Sequence, residues 1–121
     1  MEYEKNNIFA KILRKEIPAA IVYEDEFALA FHDAFPKAPI HILAIPKGEF
    51  ISFFDFSKKA SPELIVGFTK AIHQVIKAFD LQEDGFRILS NHGIHGGQEI
   101  PHYHVHIFGG RPLGRMISLD S

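Results

Sequence analysis

The sequence predicts an antiparallel α+β domain with a five-stranded sheet and two helices. Three observations carry this expectation. Short apolar runs of strand type outnumber helical ones, their order is not βαβ throughout, and 121 residues make one domain with no room for a second. No period of roughly 20–50 residues repeats and no low-complexity tract interrupts the chain, so residues 1–121 read as a single domain.

The elements follow in order. Within Asn7–Glu16, Ile8, Phe9, Ile12 and Leu13 fall at helical spacing, with Asn6 or Asn7 to cap the start and Pro18 to close the segment. The period then changes. Ile21–Glu24 and Ala28–His32 read as two strands around the turn Asp25-Glu26. Pro36 and Pro39 break the chain before a third strand, Ile40–Ile45, which Pro46-Lys47-Gly48 ends. Ser61-Pro62-Glu63 supplies a capping hydroxyl, a proline at the first helical position and an acid in the first turn. From there Leu64, Ile65, Phe68, Ile72, Val75, Ile76 and Phe79 repeat at three- and four-residue steps, which predicts an amphipathic helix over 62–79. Asp84-Gly85 turns into a strand at Phe86–Asn91. A glycine-bearing loop, His92–Glu99, leads to a last strand at Pro101–Phe108, ended by Gly109-Gly110-Arg111-Pro112. The run Phe50-Ile51-Ser52-Phe53-Phe54-Asp55-Phe56 is either core or apolar surface.

Composition excludes several function classes. Thirteen Lys+Arg against fifteen Asp+Glu leave a formal charge of −2, which argues against a generally basic nucleic-acid binder. No apolar run approaches the roughly 18 residues of a membrane span, and the polar opening Met1–Lys5 does not read as a signal peptide. The absence of cysteine removes a disulfide scaffold, a thiol nucleophile and a thiolate metal site. A cytoplasmic enzyme or binding domain is the default expectation. Eight histidines stand out, six of them after residue 72.

The chemistry concentrates in His102-Tyr103-His104-Val105-His106-Ile107-Phe108. On a strand, alternate side chains share a face, so His102, His104 and His106 form a row spaced about 6.6 Å apart while Tyr103, Val105 and Ile107 face a core. Three readings compete. The imidazoles are solvated or satisfied within the core; or His-x-His binds zinc; or the row surrounds a phosphoryl group, one ring attacking and the others donating hydrogen bonds. The zinc reading lacks an obvious carboxylate or fourth ligand at motif spacing. The residues before the row favour the phosphoryl reading. Gly96-Gly97-Gln98 lets backbone N–H groups approach an anion, and Asn91 can donate to a phosphate or sugar oxygen. Upstream, Phe31-His32-Asp33 pairs an aromatic that can meet a base with a carboxylate that can accept from a ribose diol.

His102-x-His104-x-His106 followed by Ile107 and Phe108 resembles the histidine triad (HIT) motif. Further pieces resemble the nucleotide-binding Hint branch of that family: Ile8-Phe9-x-Lys11-Ile12, Lys15–Ala19, Ala30-Phe31-His32-Asp33, Pro39-x-His41, Ile45-Pro46-Lys47, Gly96-Gly97-Gln98 and Gly109-Gly110-Arg111. They run in family order and cover nearly the whole chain. The resemblance implies a HIT-like fold and a homodimer whose two sheets join. It implies purine nucleotides as partners, AMP with GMP as the alternative, and hydrolysis of nucleoside 5′-phosphoramidates without metal or other cofactor. By residue matching, His104 falls at the nucleophile, with His106, His102 and His41 around it. Asp33, with Ala34 beside it, falls at the ribose. Phe31, Ile8, Phe9 and Ile12 fall in the base pocket. Asn91, Gly97, Gln98, Glu99 and His106 fall around the α-phosphate, and Val105 falls within the nucleotide site between His104 and His106. No nucleic acid or membrane enters as a partner.

Departures from the family pattern bear on the leaving group and on metals. Glu99 stands where animal members commonly carry Ser, Glu49 replaces a histidine and so removes a metal ligand, and the tail Met116–Ser121 lacks the Trp-containing ending of animal relatives. On this reading His104 attacks the α-phosphorus with a ring nitrogen whose partner N–H is held by a backbone carbonyl. His106 donates as charge develops, and water then resolves the nucleotidyl-imidazole. The other outcomes are a nucleotide-sensing module with negligible turnover and a dinucleoside polyphosphate hydrolase of the sister branch.

Overall fold

The computed structural model describes residues 2–118; the last three residues of the tail and Met1 lie outside the described residues. The order of elements is α1 (Ile8–Leu13), β1 (Ile21–Glu24), β2 (Ala28–His32), β3 (Ile40–Pro46), α2 (Phe53–Lys59), α3 (Pro62–Ala78), α4 (Leu81–Asp84), β4 (Arg87–Leu89), α5 (Gly93–Gly96) and β5 (Val105–Gly109). The strands form one antiparallel sheet in the order β1-β2-β3-β5-β4. This is the expected α+β architecture, with α1 and α3 as its two predicted helices and three further short helical segments besides.

Pleating assigns the central strands to two faces. Ala28, Ala30, Ile42, Ala44, Val105 and Ile107 meet α3 through Phe68, Ala71 and Val75. Leu29, Phe31, Leu43 and Ile45 meet α1 through Phe9 and Ile12. Three alanines under α3 leave room for close helix approach. At Gly67 the approach is so close that an added Cβ would lie 2.3 Å from the Phe27 ring. Both faces of β2 and β3 are therefore covered, as their nearly continuous burial records. Among the described residues no helix is long and apolar enough to cross a membrane.

Local chemistry explains where the elements begin and end. Asn7 Oδ1 accepts from the Ala10 N–H and caps α1, and Ser61 Oγ accepts from the Leu64 N–H and caps α3. α1 stops before Pro18 because Lys15 enters the left-handed region at φ 62°, with the Lys15 and Glu16 N–H groups returning to Ile12 and Lys11 carbonyls. The final strand is shorter than expected. The Tyr103 N–H donates to the Phe50 carbonyl and Ser90 Oγ donates to the His104 carbonyl, so the β5 ladder begins only at Val105. The phenylalanine-rich run splits: Phe56 is core, whereas Phe53 and Phe54 on α2 are exposed.

Candidate functional site

The first two histidines of the row thus precede β5, yet the alternation holds. Tyr103, Val105 and Ile107 enter the α3-side core, whereas the edge of Phe9 meets His104 at 5.0 Å and His102 at 6.4 Å between ring centroids on the α1 side. His106 sits opposite Leu43 of β3 and Leu89 of β4, and His41 sits opposite Phe108. The sheet register and the residues leading into β5 gather His41, His104 and His106, with ring centroids 5.2 Å apart for His41–His106 and 5.1 Å for His104–His106.

Hydrogen bonds fix the tautomer of each ring. His104 Nδ1 donates to the His102 carbonyl at 2.7 Å, so its Nε2 carries the lone pair. His41 Nδ1 accepts from the Lys37 N–H at 3.1 Å, so its proton resides on Nε2, which donates to His106 Nδ1 at 3.0 Å. His106 then keeps its proton on Nε2. His102 is wholly buried; its Nε2 faces the Pro46 carbonyl at 3.3 Å and its Nδ1 faces the Tyr3 hydroxyl at 2.5 Å. Burial strips hydration from an imidazolium, which pushes His102 and His106 down to about 4 and lowers His104 and His41 as well. Repulsion from protonated His104 and His41, and from Lys37, lowers His106 further, whereas the bond to the His102 carbonyl, then Asp33 and Glu99, hold the His104 shift back. Each of these shifts favours the uncharged imidazole.

Asp33 follows β2. Its N–H bonds the His41 carbonyl, its Oδ1 accepts from the Phe35 N–H, and its Oδ2 lies 3.4 Å from His41 Nε2. Asp33, His41 and His106 each place one ligand-capable atom within 4.8 Å of the others, so a carboxylate does accompany two of the imidazoles, contrary to the spacing argument against a metal. The two imidazoles are already hydrogen-bonded to each other.

The remaining sequence-predicted residues occupy three positions. Phe31 and Phe9 are buried and meet edge to face at 5.6 Å, so they form a wall and not an exposed stacking platform; Ile12 is buried beside them and Ile8 is half exposed. A cavity of about 340 Å³ opens against Ile12, lined also by Lys15–Ala19 and Ile21. A larger one of about 840 Å³, between Phe79 and Arg111, contains none of these residues. Ala34 is exposed next to Asp33, and the Val105 side chain belongs to the opposite core, so only its backbone faces the row.

The loop from Asn91 to Glu99 is braced from within. Asn91 Nδ2 donates to the Gly96 carbonyl, and Gln98 Nε2 donates to the Ile51 and Ile100 carbonyls while its Oε1 accepts from the Gly93 N–H. The Gln98 amide thus shapes the loop. Gly97 sits at φ 72°, ending the single turn of α5 in the left-handed region that glycine enters freely. Glu99 is exposed. Sequence reading missed Tyr3 and Ser90, both of which bond to the triad segment. An aromatic four residues ahead of a helix cap was the only local signal for Tyr3.

Comparison with known proteins agrees with this geometry. The family profile described as HIT domain matches residues 14–113. An uncharacterized HIT-like protein of Azospirillum brasilense is 51% identical over 116 residues, covering 96% of this chain and 95% of that protein. The purine nucleoside phosphoramidase of Escherichia coli strain K12 is 42% identical over 114 residues, covering 94% of this chain and 95% of that protein. A crystal structure of a histidine triad protein from Clostridium difficile superposes with a TM-score of 0.85 at 38% identity, covering 97% of this chain and all of that one. With its three imidazoles in register on the α1 side of the sheet, the chain belongs to the HIT domain family.

Proposed function

We propose that the protein hydrolyses purine nucleoside 5′-phosphoramidates, AMP–amine and AMP–lysine adducts among them, to the nucleoside monophosphate and the free amine. The observation that carries this reading is the pair of opposite tautomers at adjacent rings. His104 presents a lone pair on Nε2 and His106 presents a proton on Nε2. One ring is prepared to attack and its neighbour to donate.

His104 Nε2 attacks the α-phosphorus as the P–N bond to the amine breaks. The departing nitrogen takes up the proton it needs from His106 Nε2, and His41 backs His106 through Nδ1. The phosphorylated imidazole is cationic, and its Nδ1–H bond to the His102 carbonyl disperses that charge. Water then attacks phosphorus and gives up a proton that restores His106 Nε2–H, His104 leaves with its lone pair restored, and the nucleoside monophosphate is released. Atoms balance as phosphoramidate plus water giving nucleotide plus amine. Asp33 accepts from the ribose diol, the Phe9–Phe31 wall with Ile8 and Ile12 lines the base site, and the loop braced by Asn91 and Gln98 surrounds the phosphate.

The exposed edge strand β4, with Ile88 48% and Leu89 38% accessible, supports a homodimer in which two sheets continue across β4. Light scattering coupled to size exclusion reads this as a doubled mass.

The functional test is release of AMP from an adenosine phosphoramidate beside a calorimetric titration with AMP and GMP. Turnover with nucleotide binding supports the reading. Binding without turnover makes the protein a nucleotide sensor. Cleavage confined to dinucleoside polyphosphates assigns the chemistry of the sister branch.

A further inference from the structure

The triad segment is held from an unexpected direction. Tyr3 lies 99 positions before His102 in the chain, yet its hydroxyl stands 2.5 Å from His102 Nδ1 and its ring meets the imidazole edge to face, with centroids 5.6 Å apart. The other His102 nitrogen faces the Pro46 carbonyl, which can only accept. His102 Nε2 therefore carries the ring proton, Nδ1 is an acceptor, and the Tyr3 hydroxyl is the donor that satisfies it.

The segment that delivers Tyr3 is itself fastened. The Asn7 N–H and side-chain amide both donate to the Glu4 carbonyl, at 3.1 and 2.7 Å, while Asn7 Oδ1 caps α1. One buried asparagine thereby starts the first helix and turns the preceding residues back over the sheet.

We propose that Tyr3 is a positioning residue for His104, acting through His102. With both ring nitrogens bonded, the His102 side chain is pinned between Tyr3 and Pro46. That fixes the residue whose backbone carbonyl holds the His104 Nδ1 proton. Without the hydroxyl, a wholly buried imidazole nitrogen loses its donor. The ring then shifts to find one, and the carbonyl shifts with it. His104 would spend part of its time with the proton unanchored and Nε2 misdirected. Tyr3 touches neither phosphate nor leaving group on this reading, so its loss slows the attack and leaves nucleotide binding alone. The inference rests on the phosphoramidase reading for its kinetic half and on hydrogen bonding alone for its spectroscopic half.

Tyr3→Phe, which keeps the ring and removes only the hydroxyl, is the test. In the intact protein, nitrogen-15 NMR should find His102 as the Nε2–H tautomer with a hydrogen-bonded Nδ1. In Tyr3→Phe the His102 Nδ1 resonance should move toward that of a free acceptor. The kcat for an adenosine phosphoramidate should fall about 3- to 10-fold, as losing one hydrogen bond of ordinary net strength implies, with KM unchanged. An unmoved Nδ1 resonance overturns the proposal, as does an unchanged kcat in a protein that turns over. A fall in kcat matched by an equal fall in the folded fraction also overturns it, since that marks a merely structural role; circular dichroism of the same samples reads that fraction. If the intact protein binds AMP without turnover, the functional reading has failed, and the resonance shift alone still decides whether Tyr3 governs His102.

Discussion

The backbone carbonyl of His102 accepts the Nδ1 proton of His104 at 2.7 Å, so one member of the triad sets the tautomer of the next through its main chain. No side-chain substitution at position 102 deletes that acceptor directly. The chemistry at position 104 can be removed cleanly, and His104→Ala should lower phosphoramidate turnover by about 10³-fold or more while AMP affinity stays within a few-fold. Single-turnover kinetics and calorimetry on one preparation check both halves. Near-normal hydrolysis by the variant removes His104 from the nucleophile's role.

Asp33→Ala should act the other way. Losing a charge-assisted acceptor for the ribose diol weakens AMP binding by about 10-fold or more. Because Asp33 Oδ1 also holds the Phe35 N–H, Asp33→Asn, which keeps that bond, is the companion variant. Unchanged calorimetric affinity in both variants rejects the ribose assignment.

Stability should fall in mild acid. His102 titrates at about 4 in the folded protein against 6.5 for an ordinary histidine, because burial disfavours its cation. Between those values the unfolded chain binds more protons than the native one. Stability is therefore complete above about pH 6.5 and declines as pH falls through 4, by up to about 3 kcal/mol from this residue. The lowered values of His104 and His106 act with the same sign. Guanidinium midpoints at pH 7 and pH 4.5 measure it, and equal midpoints contradict it.

Exhaustive chelation should leave turnover unchanged. Asp33, His41 and His106 approach one another as metal ligands do, but the proposed reaction uses His41 and His106 as a hydrogen-bonded pair and Asp33 for the ribose, and no step needs a Lewis acid. Activity lost on chelation and restored by zinc would replace this mechanism with a metal-assisted one.

Gly67→Ala should destabilise the fold although alanine is the better helix former. The added methyl would lie 2.3 Å from the Phe27 ring, and relieving such overpacking costs about 1–3 kcal/mol. A lowered melting temperature with kcat preserved is the expected result.

Much of this was legible in the sequence where a signal is local. Strands β1 to β3 and helix α3 fall within a residue or so of the spacing-based reading, because alternation, proline breaks and the Ser61 cap act on neighbouring residues. Helix α2 was hidden, since Phe53 and Phe54 are exposed and only Phe56 is buried, leaving no apolar period to detect. The shortened β5 was hidden for another reason: the carbonyl that takes the Tyr103 N–H belongs to Phe50, far away in sequence. Gln98 illustrates the same limit at the site. Its residue type suits a phosphate donor, and only the fold reveals that its amide is committed to Ile51 and Ile100. The contact between Tyr3 and His102 has no sequence pattern at all, because it joins the two ends of the chain.

The alternation along residues 102–107 makes neighbours in the chain answer to different demands. Even-numbered positions face the imidazole cluster and odd-numbered ones plug the hydrophobic interior beneath α3. Randomising the odd set should exhaust thermal tolerance before reactivity, and randomising the half-exposed position 106 the reverse. An engineer could therefore retune robustness at 103, 105 and 107 with the reactive face left in place.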